Sequence, residues 1–522
     1  MKKYKINFDT ALLCAAALLA VFIRVYRFGS VPGGMNQDGA MAAVDAAALA
    51  AYGTDRLGMR FPVHLTAWGF GQMSALMSYL MAPCIALFGL SVTSARLPML
   101  LVSLASLGIL YLFAKDLHGR RGAAVALALA AICPWHILQS RWALDCNLFP
   151  HFFLAGIFLL NRGVRRRRRR EVYASMAFFG LSMYCYGISV YTVPVFLLAA
   201  CIVLLVRREI APARAGVCAL IWLAVSAPFL LCMAINALGG ETIETGLFTI
   251  PYFPDSLRSS DILFFSAHPL QQLSVNLRAL LQILSQRYDG ALCNEVPGFG
   301  TLYGISLPFQ ILGAVFFFRN AKKNTGCLLT VLWFLTALWS GLITASVNIN
   351  RLNLIFYPLL LFAGAGIWEA VRFLGSFRRA RAAAALIPAA FLIAFALFTH
   401  TYFTSYAGQI SAVFMEDFGE AVSAISESGA EHVYISPDAQ YKGLWYVSEV
   451  LTLFWQDIDA EYYQSAEFAE RYQFSVPSDP DPEEDAVYVL AASDLPNYSE
   501  ELYAISSYGR FYTAEPKRSA SE

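Results

Sequence analysis

The sequence predicts a mainly α, polytopic transmembrane helical bundle of about 11 spans, with a small C-terminal extracytoplasmic α/β domain. Three observations predict it. Hydrophobic residues make up 58% of the 522 positions and charged ones 14%, well below the roughly 25% charged residues of a soluble domain. Apolar runs long enough to span recur along residues 8–400; a bilayer core of roughly 30 Å needs about 20 such residues, and the helix satisfies its own backbone polar groups. The charges are segregated: residues 401–522 hold five Lys/Arg and 22 Asp/Glu, although the whole chain has a net charge of only +1. The division expected is therefore a membrane domain over 1–400, with outer loops at 29–95 and 236–301, and an acidic domain over 401–522.

The candidate spans fall near 8–28, 97–114, 122–138, 147–161, 172–188, 190–206, 215–235, 302–318, 327–344, 354–371 and 382–400. With the N-terminus in the cytoplasm, 23 basic residues fall on the cytoplasmic side, among them Lys2, Lys3, Lys5, Arg165 to Arg170, Arg378 and Arg379. The outer loops before residue 401 keep Arg56, Arg60, Arg96, Arg141, Arg258, Arg278, Arg287 and Arg351. This asymmetry is the positive-inside rule, and an odd span count leaves the acidic tail outside. Counting the uncharged run 73–90 as a span would move every later basic loop outward, so it is expected to lie along the interface. The stretch 172–206 reads as a hairpin turning at Gly187 to Ser189, and Met1 to Phe28, which lacks a small-residue cleavage site, reads as a retained first span.

The six arginines at 165–170 read as a cytoplasmic anchor for anionic membrane lipids, not as a nucleic-acid site. Ten cysteines are scattered, mostly within apolar runs and without a CxxC pair, so neither a disulfide framework nor a zinc finger is indicated. In the tail, His432 to Ser436 and Ala486 to Ala491 read as strands, separated by helical patterns at 412–428 and 441–456. Ser478 to Asp485 is a Pro/Asp loop.

Three outer clusters carry the chemistry. The first loop opens Val31-Pro-Gly-Gly-Met-Asn-Gln-Asp38-Gly, a carboxylate just after a turn and at the start of a helix. Asp38 is equally readable as a catalytic base and as the helix N-cap; Asp45 follows two turns later. Arg56, His64, Trp68 and Tyr79 supply cations for phosphate and rings for sugar faces, although Trp and Tyr also gather at membrane interfaces. The second cluster, Pro134 to Asn147, gathers His136, Arg141, Asp145 and Asn147 at the edge of hydrocarbon, where polar groups need partners; an Arg141–Asp145 pair at i,i+4 is the structural alternative. The third is Ser346-Val-Asn-Ile-Asn-Arg351-Leu-Asn353, where Arg351 either grips a lipid phosphate or snorkels to the headgroups.

At these clusters the chain resembles the GT-C superfamily, particularly bacterial relatives of the protein O-mannosyltransferases and of the lipid A aminoarabinose transferase. The resemblance covers roughly residues 8–400. It rests on Asn36-Gln37-Asp38-Gly39-Ala40, on Tyr52-Gly53-Thr54-Asp55-Arg56-Leu57-Gly58 with Pro62, on Arg96-Leu97-Pro98, on Pro134-Trp135-His136 with Ser140-Arg141, and on Tyr184-Cys185-Tyr186 with Pro194. It implies a membrane glycosyltransferase that moves a sugar, with inversion, from a polyisoprenyl-phosphate-linked donor to an extracytoplasmic acceptor. It makes Asp38 the acidic residue of the active site and Asp145 a second. Asn36, Gln37, Arg56, His64, Trp68, His136, Arg141, Asn147, Tyr186 and Arg351 become candidates for substrate binding. Some members hold a metal at the first-loop carboxylate, so a divalent metal is the one cofactor left open. Most relatives follow that Asp with Glu, where this chain has Gly39. A transporter or lipid flippase is the rival class, but no internal repeat is found and the polar residues crowd the outer edge rather than the midplane.

Overall fold

The computed structural model describes residues 8–69, 71–254, 263, 268–286, 289–377 and 381–517. Lys2, Lys3, Lys5, Arg258, Arg287, Arg378, Arg379 and the tail's Arg518 lie outside the described residues. The chain divides into two compact units, one of residues 1–28, 99–237 and 257–406, the other of 29–98, 238–256 and 407–522.

The first unit is helical. Each predicted apolar run is helical over most of its length, but among the described residues six helices are long and apolar enough to cross a membrane: Val92–Ile132, Ser189–Val206, Pro212–Leu238, Thr325–Leu342, Asn353–Ser376 and Ala382–Phe403. The chain is a membrane protein on that ground. The difference from eleven has local causes. Val92–Ile132 absorbs two predicted runs and breaks its helical geometry at Gly119 (φ 74°). Arg169–Ser182 and Leu307–Asn320 have 14 residues each, about 21 Å at the helical rise. Asp145–Arg165 carries charges at both ends. The hairpin predicted over 172–206 is present, turning at 183–188 between Arg169–Ser182 and Ser189–Val206.

Aromatic packing joins four of these helices. The Phe153 ring lies 5.2 Å from Phe179, 4.9 Å from Phe196 and 5.5 Å from Trp333. Leu307–Asn320 and Phe356–Ser376 approach so closely that a Cβ on Gly313 would overlap the Phe362 carbonyl oxygen, and one on Gly366 the Phe309 carbonyl oxygen. Small residues at a crossing are how helices gain contact in lipid, where no hydrophobic drive separates helix from solvent.

The second unit brings first-loop and tail elements together. The Gln37–Tyr52 helix is buried over most of its length and packs against Leu76–Phe88 and Trp445–Trp455. Leu76–Phe88, the run expected at the interface, has 13 residues, about 20 Å and short of a span. The tail carries a five-stranded sheet in the order Tyr472–Gln473, His432–Ile435, Ala486–Ala491, Phe511–Pro516, Tyr503–Tyr508. Both strands expected from sequence are in it, paired in parallel with Val433 opposite Val487. Ala486–Ala491 is buried at every position, as a central strand covered on both faces must be. The antiparallel hairpin Tyr503–Tyr508 and Phe511–Pro516 was not expected; its alternation is interrupted by Ser506, Ser507 and Glu515. Arg510 in its turn pairs with Asp417 at 2.6 Å.

The glycine crossing gives a direct expectation. Gly366→Leu lowers the thermal melting temperature of the detergent-purified protein, since overpacking costs about 1–3 kcal/mol even where side chains alone must shift. Gly216→Ala, with open space around it, leaves the melt unchanged or slightly raised.

Candidate functional site

In the second unit the site is built from the first-loop turn. Arg96 is fully buried and donates from Nη1 to the Pro32 carbonyl (2.6 Å) and from Nη2 to the Gly34 carbonyl (2.7 Å). Its guanidinium also sits 5.7 Å from the centre of the Phe414 ring. Gly34 has φ 72°, and a Cβ there would overlap the Phe414 carbonyl oxygen, while one on Gly33 would overlap the Glu416 carboxylate. At Gly34 the turn is therefore closed against backbone, and only glycine fits there.

This turn delivers the chain to Asn36, the N-cap of Gln37–Tyr52, whose side-chain oxygen accepts the Gly39 N–H at 3.3 Å. The capping role offered to Asp38 thus belongs to Asn36. Asp38 stands in the helix's first turn, half-buried, where the exposed N–H groups of the helix favour a negative charge. The Trp68 indole N–H donates to Asp38 Oδ1 at 2.5 Å. Trp68 in turn faces Tyr446, with ring centres 5.7 Å apart. Oε1 of Gln37, itself buried, has no hydrogen-bond partner among the described residues.

Deeper in the same unit, Arg56 is engaged with Asp45. Its Nη1 reaches Oδ1 at 2.9 Å and Oδ2 at 2.8 Å, its backbone N–H donates to Oδ1, and the guanidinium also donates to the Thr66 and Ala67 carbonyls. Burial alone would lower Arg56, but the Asp45 carboxylate holds it above the ordinary arginine value. Asp55 lies buried nearby, its Oδ1 accepting the N–H groups of Leu57 and Met59. Burial, with the Asp45 charge added, pushes its carboxyl up to about 7. His64 is buried, its ring edge-on to Phe253 at 6.2 Å.

In the helical unit the second and third clusters meet in a buried polar network. Trp135 Nε1 donates to Asn353 Oδ1 at 2.7 Å, and the Gln139 amide donates to the same oxygen. The Asn353 amide donates to Asn147 Oδ1 and to the Cys146 carbonyl. Arg24, fully buried, donates to the Ala130 and Ala131 carbonyls and contacts His136 Nδ1 at 2.9 Å. Because a guanidinium only donates, His136 accepts at Nδ1 and carries its proton on Nε2, which faces the Tyr357 oxygen at 3.1 Å. The Tyr357 hydroxyl lies 2.8 Å from His151 Nδ1.

Arg141 is fully buried and donates to the carbonyls of Ile23, Arg24 and Arg27, closing the C-terminal end of Phe8–Val25. Asp145 opens the next helix and accepts the Cys146 N–H. Tyr186 lies half-buried in the 183–188 turn. Arg351 is half-buried, with Nη1 on the Ser346 carbonyl and hydroxyl. Sequence reasoning missed Arg24, His151 and Tyr357. A charge and a histidine inside apolar runs were the signal for the first two, whereas a tyrosine in such a run carries none.

Residues 73–232, under a third of the chain, match the family model described as dolichyl-phosphate-mannose-protein mannosyltransferase. No curated protein sequence matches. Among solved structures, ArnT from Cupriavidus metallidurans in the apo state is 14% identical, with a TM-score of 0.55 over 97% of each chain. The same protein bound to undecaprenyl phosphate is 13% identical, again with a TM-score of 0.55 over 97% of each. AglB from Archaeoglobus fulgidus, in complex with an inhibitory peptide and a dolichol-phosphate, is 13% identical, with a TM-score of 0.54 over 86% of this chain and 64% of AglB.

The chain has the fold of ArnT and AglB. The likeness is thus to a protein mannosyltransferase family model over residues 73–232 and, in fold, to ArnT and AglB over most of the chain. A divalent metal at the first-loop carboxylate, left open by the sequence, does not fit the donors described here. Among the described residues no three His, Cys, Asp or Glu side chains converge. One Asp38 oxygen accepts an indole N–H, which cannot ligate, and the Asn36 oxygen caps the helix.

Two outcomes follow. Asp45→Asn leaves Arg56 buried without its carboxylate and destabilises by about 3–5 kcal/mol, read as a lower melting temperature; Asp45→Asn with Arg56→Met recovers part of the loss. For Asp55, a carboxyl that ionises with more difficulty folded than unfolded contributes stability while protonated and loses it as pH rises from about 4 to about 7. The melting temperature of Asp55→Asn therefore falls less than that of the wild type over this window.

Proposed function

We propose that this protein transfers a sugar from a polyisoprenyl-phosphate-linked donor to an extracytoplasmic acceptor, with Asp38 as the base. The observation that carries this reading is the placement of Asp38: a half-buried carboxylate in the first turn of a buried helix, oriented by the Trp68 N–H and anchored through the turn that Arg96 closes. The bound undecaprenyl phosphate and dolichol-phosphate of the two fold neighbours support the donor class. The positive-inside pattern supports an outer location for the first loop and for residues 401–522.

In the proposed step the acceptor hydroxyl or amine attacks the anomeric carbon of the donor sugar and yields its proton to Asp38. The bond from that carbon to the phosphate oxygen breaks, its electron pair leaves with the prenyl phosphate, and the configuration inverts. A base within hydrogen-bond reach of the nucleophile accelerates such a step by about 10²–10⁴-fold. Gln37 Oε1, buried and awaiting a donor, suits a hydroxyl of the incoming substrate. Of the cations expected to meet phosphate, Arg56 is held by Asp45 and Arg141 by main-chain carbonyls.

The test is transfer from labelled polyprenyl-phosphate hexose or aminopentose by the protein in lipid nanodiscs. Asp38→Asn is expected to lower kcat/KM by about 10²–10⁴-fold with an unchanged thermal melt. Wild-type activity in that variant would remove Asp38 from the mechanism.

A further inference from the structure

An aromatic row leads away from Asp38 within the second unit. Trp68, hydrogen-bonded to Asp38, lies 5.7 Å from Tyr446 between ring centres; Tyr446 lies 5.7 Å from Trp445; and Trp445 lies 6.4 Å from Phe474. The members come from three separate stretches of the chain: the first loop, the start of the Trp445–Trp455 helix, and the segment after Tyr472–Gln473. No single stretch of sequence shows the row.

Its registration is built in. Gly69 (φ 65°) lets the Tyr446 ring rest on the first-loop backbone, and a Cβ there would overlap the ring. Exposure in the row peaks at Trp445, between half-buried Tyr446 and half-buried Phe474. Trp68 and Tyr446 are half-buried, but Trp445 is 47% exposed, as is Tyr441 one turn before it. A large indole left in solvent beside other rings forfeits the free energy of burial, which marks a surface awaiting a ligand rather than a core. Acidic and amide groups flank it: Glu449 on the same helix, bonded to Tyr463 at 3.2 Å, and Gln37 beside Asp38.

We infer that this row is an acceptor subsite for a saccharide chain, with successive sugar rings stacking from Phe474 and Trp445 inward to Trp68 and the terminal hydroxyl presented to Asp38. The inference rests on the transferase reading above and narrows its acceptor to a carbohydrate. Sugars offer an apolar C–H face to an aromatic ring and hydroxyls to flanking acceptors. Ring-to-ring steps of about one sugar residue suit a linear glycan better than a compact headgroup. A peptide would instead be recognised mainly through main-chain hydrogen bonds from a strand edge or groove, whereas this row presents side-chain rings.

The experiment is equilibrium binding, by titration calorimetry and intrinsic tryptophan fluorescence, to the full-length protein in nanodiscs without donor. The probes are β-1,4-glucose, β-1,4-N-acetylglucosamine and α-1,4-glucose oligomers of two to six units, with a Pro/Tyr-rich peptide as comparator. The expected result is saccharide binding that tightens with chain length, weakens at least tenfold in Trp445→Ala, is retained in Trp445→Phe, and persists in Asp38→Asn. Trp445 is 47% exposed and packs its remainder on Tyr446 and Phe474, so the melt of Trp445→Ala is recorded alongside and Trp445→Phe serves as the folded control. No binding to any oligomer, peptide binding in their place, or saccharide binding indifferent to both Trp445→Ala and Tyr446→Ala overturns the inference. Because binding is read without transfer, loss of the Asp38 mechanism and loss of the saccharide track are separate results.

Discussion

Buried guanidinium groups that bind main-chain carbonyls hold this structure in place. Arg24, Arg96 and Arg141 are each fully buried, and each donates to two or more backbone oxygens remote in sequence or at a helix end. A guanidinium has five donors in a rigid fork, so one side chain can satisfy several carbonyls that no helix or strand would otherwise satisfy. Hydrogen bonds to a charged group contribute about 1.5–3 kcal/mol each; an arginine left without them in such a place would be strongly unfavourable. Irregular backbone near hydrocarbon is tolerated only where it is satisfied by protein in this way.

The consequence for function runs through Arg96. By closing the Pro32–Gly34 turn it fixes where the Gln37–Tyr52 helix begins, and so where Asp38 stands relative to the helix N-terminus and Trp68. The glycines at 33 and 34 allow that closure against Phe414 and Glu416. In this unit the tail is part of how the first loop is shaped: Tyr446 rests on Gly69, and the Tyr52 hydroxyl bonds Asp459 at 2.7 Å. The Asp45–Arg56 pair then pins the helix interior to the loop beyond it.

Much was legible in the sequence because it follows from local pattern. The apolar runs, including the one at 73–90, the hairpin at 172–206 and the strands at 432–436 and 486–491 come from composition, charge placement and periodicity, and the structure has helices or strands at each. Other features were not legible because they depend on which distant group meets which. Asn36 and not Asp38 caps the helix, a choice between two adjacent capping residues made by backbone geometry. Arg56 and Arg141 read as free cations, yet one meets a carboxylate eleven residues back and the other a helix end more than a hundred residues away. Trp445 and Tyr446 drew no notice within an ordinary amphipathic helix; they matter through the neighbours that folding gives them.

By itself the sequence determined that this chain lives in a bilayer, that its apolar runs are helical and that its tail differs in kind, since hydrophobicity, period and charge are properties of contiguous residues. Only the tertiary structure decided which polar groups are already engaged and which remain open to a substrate. Partnership of that sort is a matter of distance between side chains brought together from separate segments, and one-dimensional spacing carries no record of it.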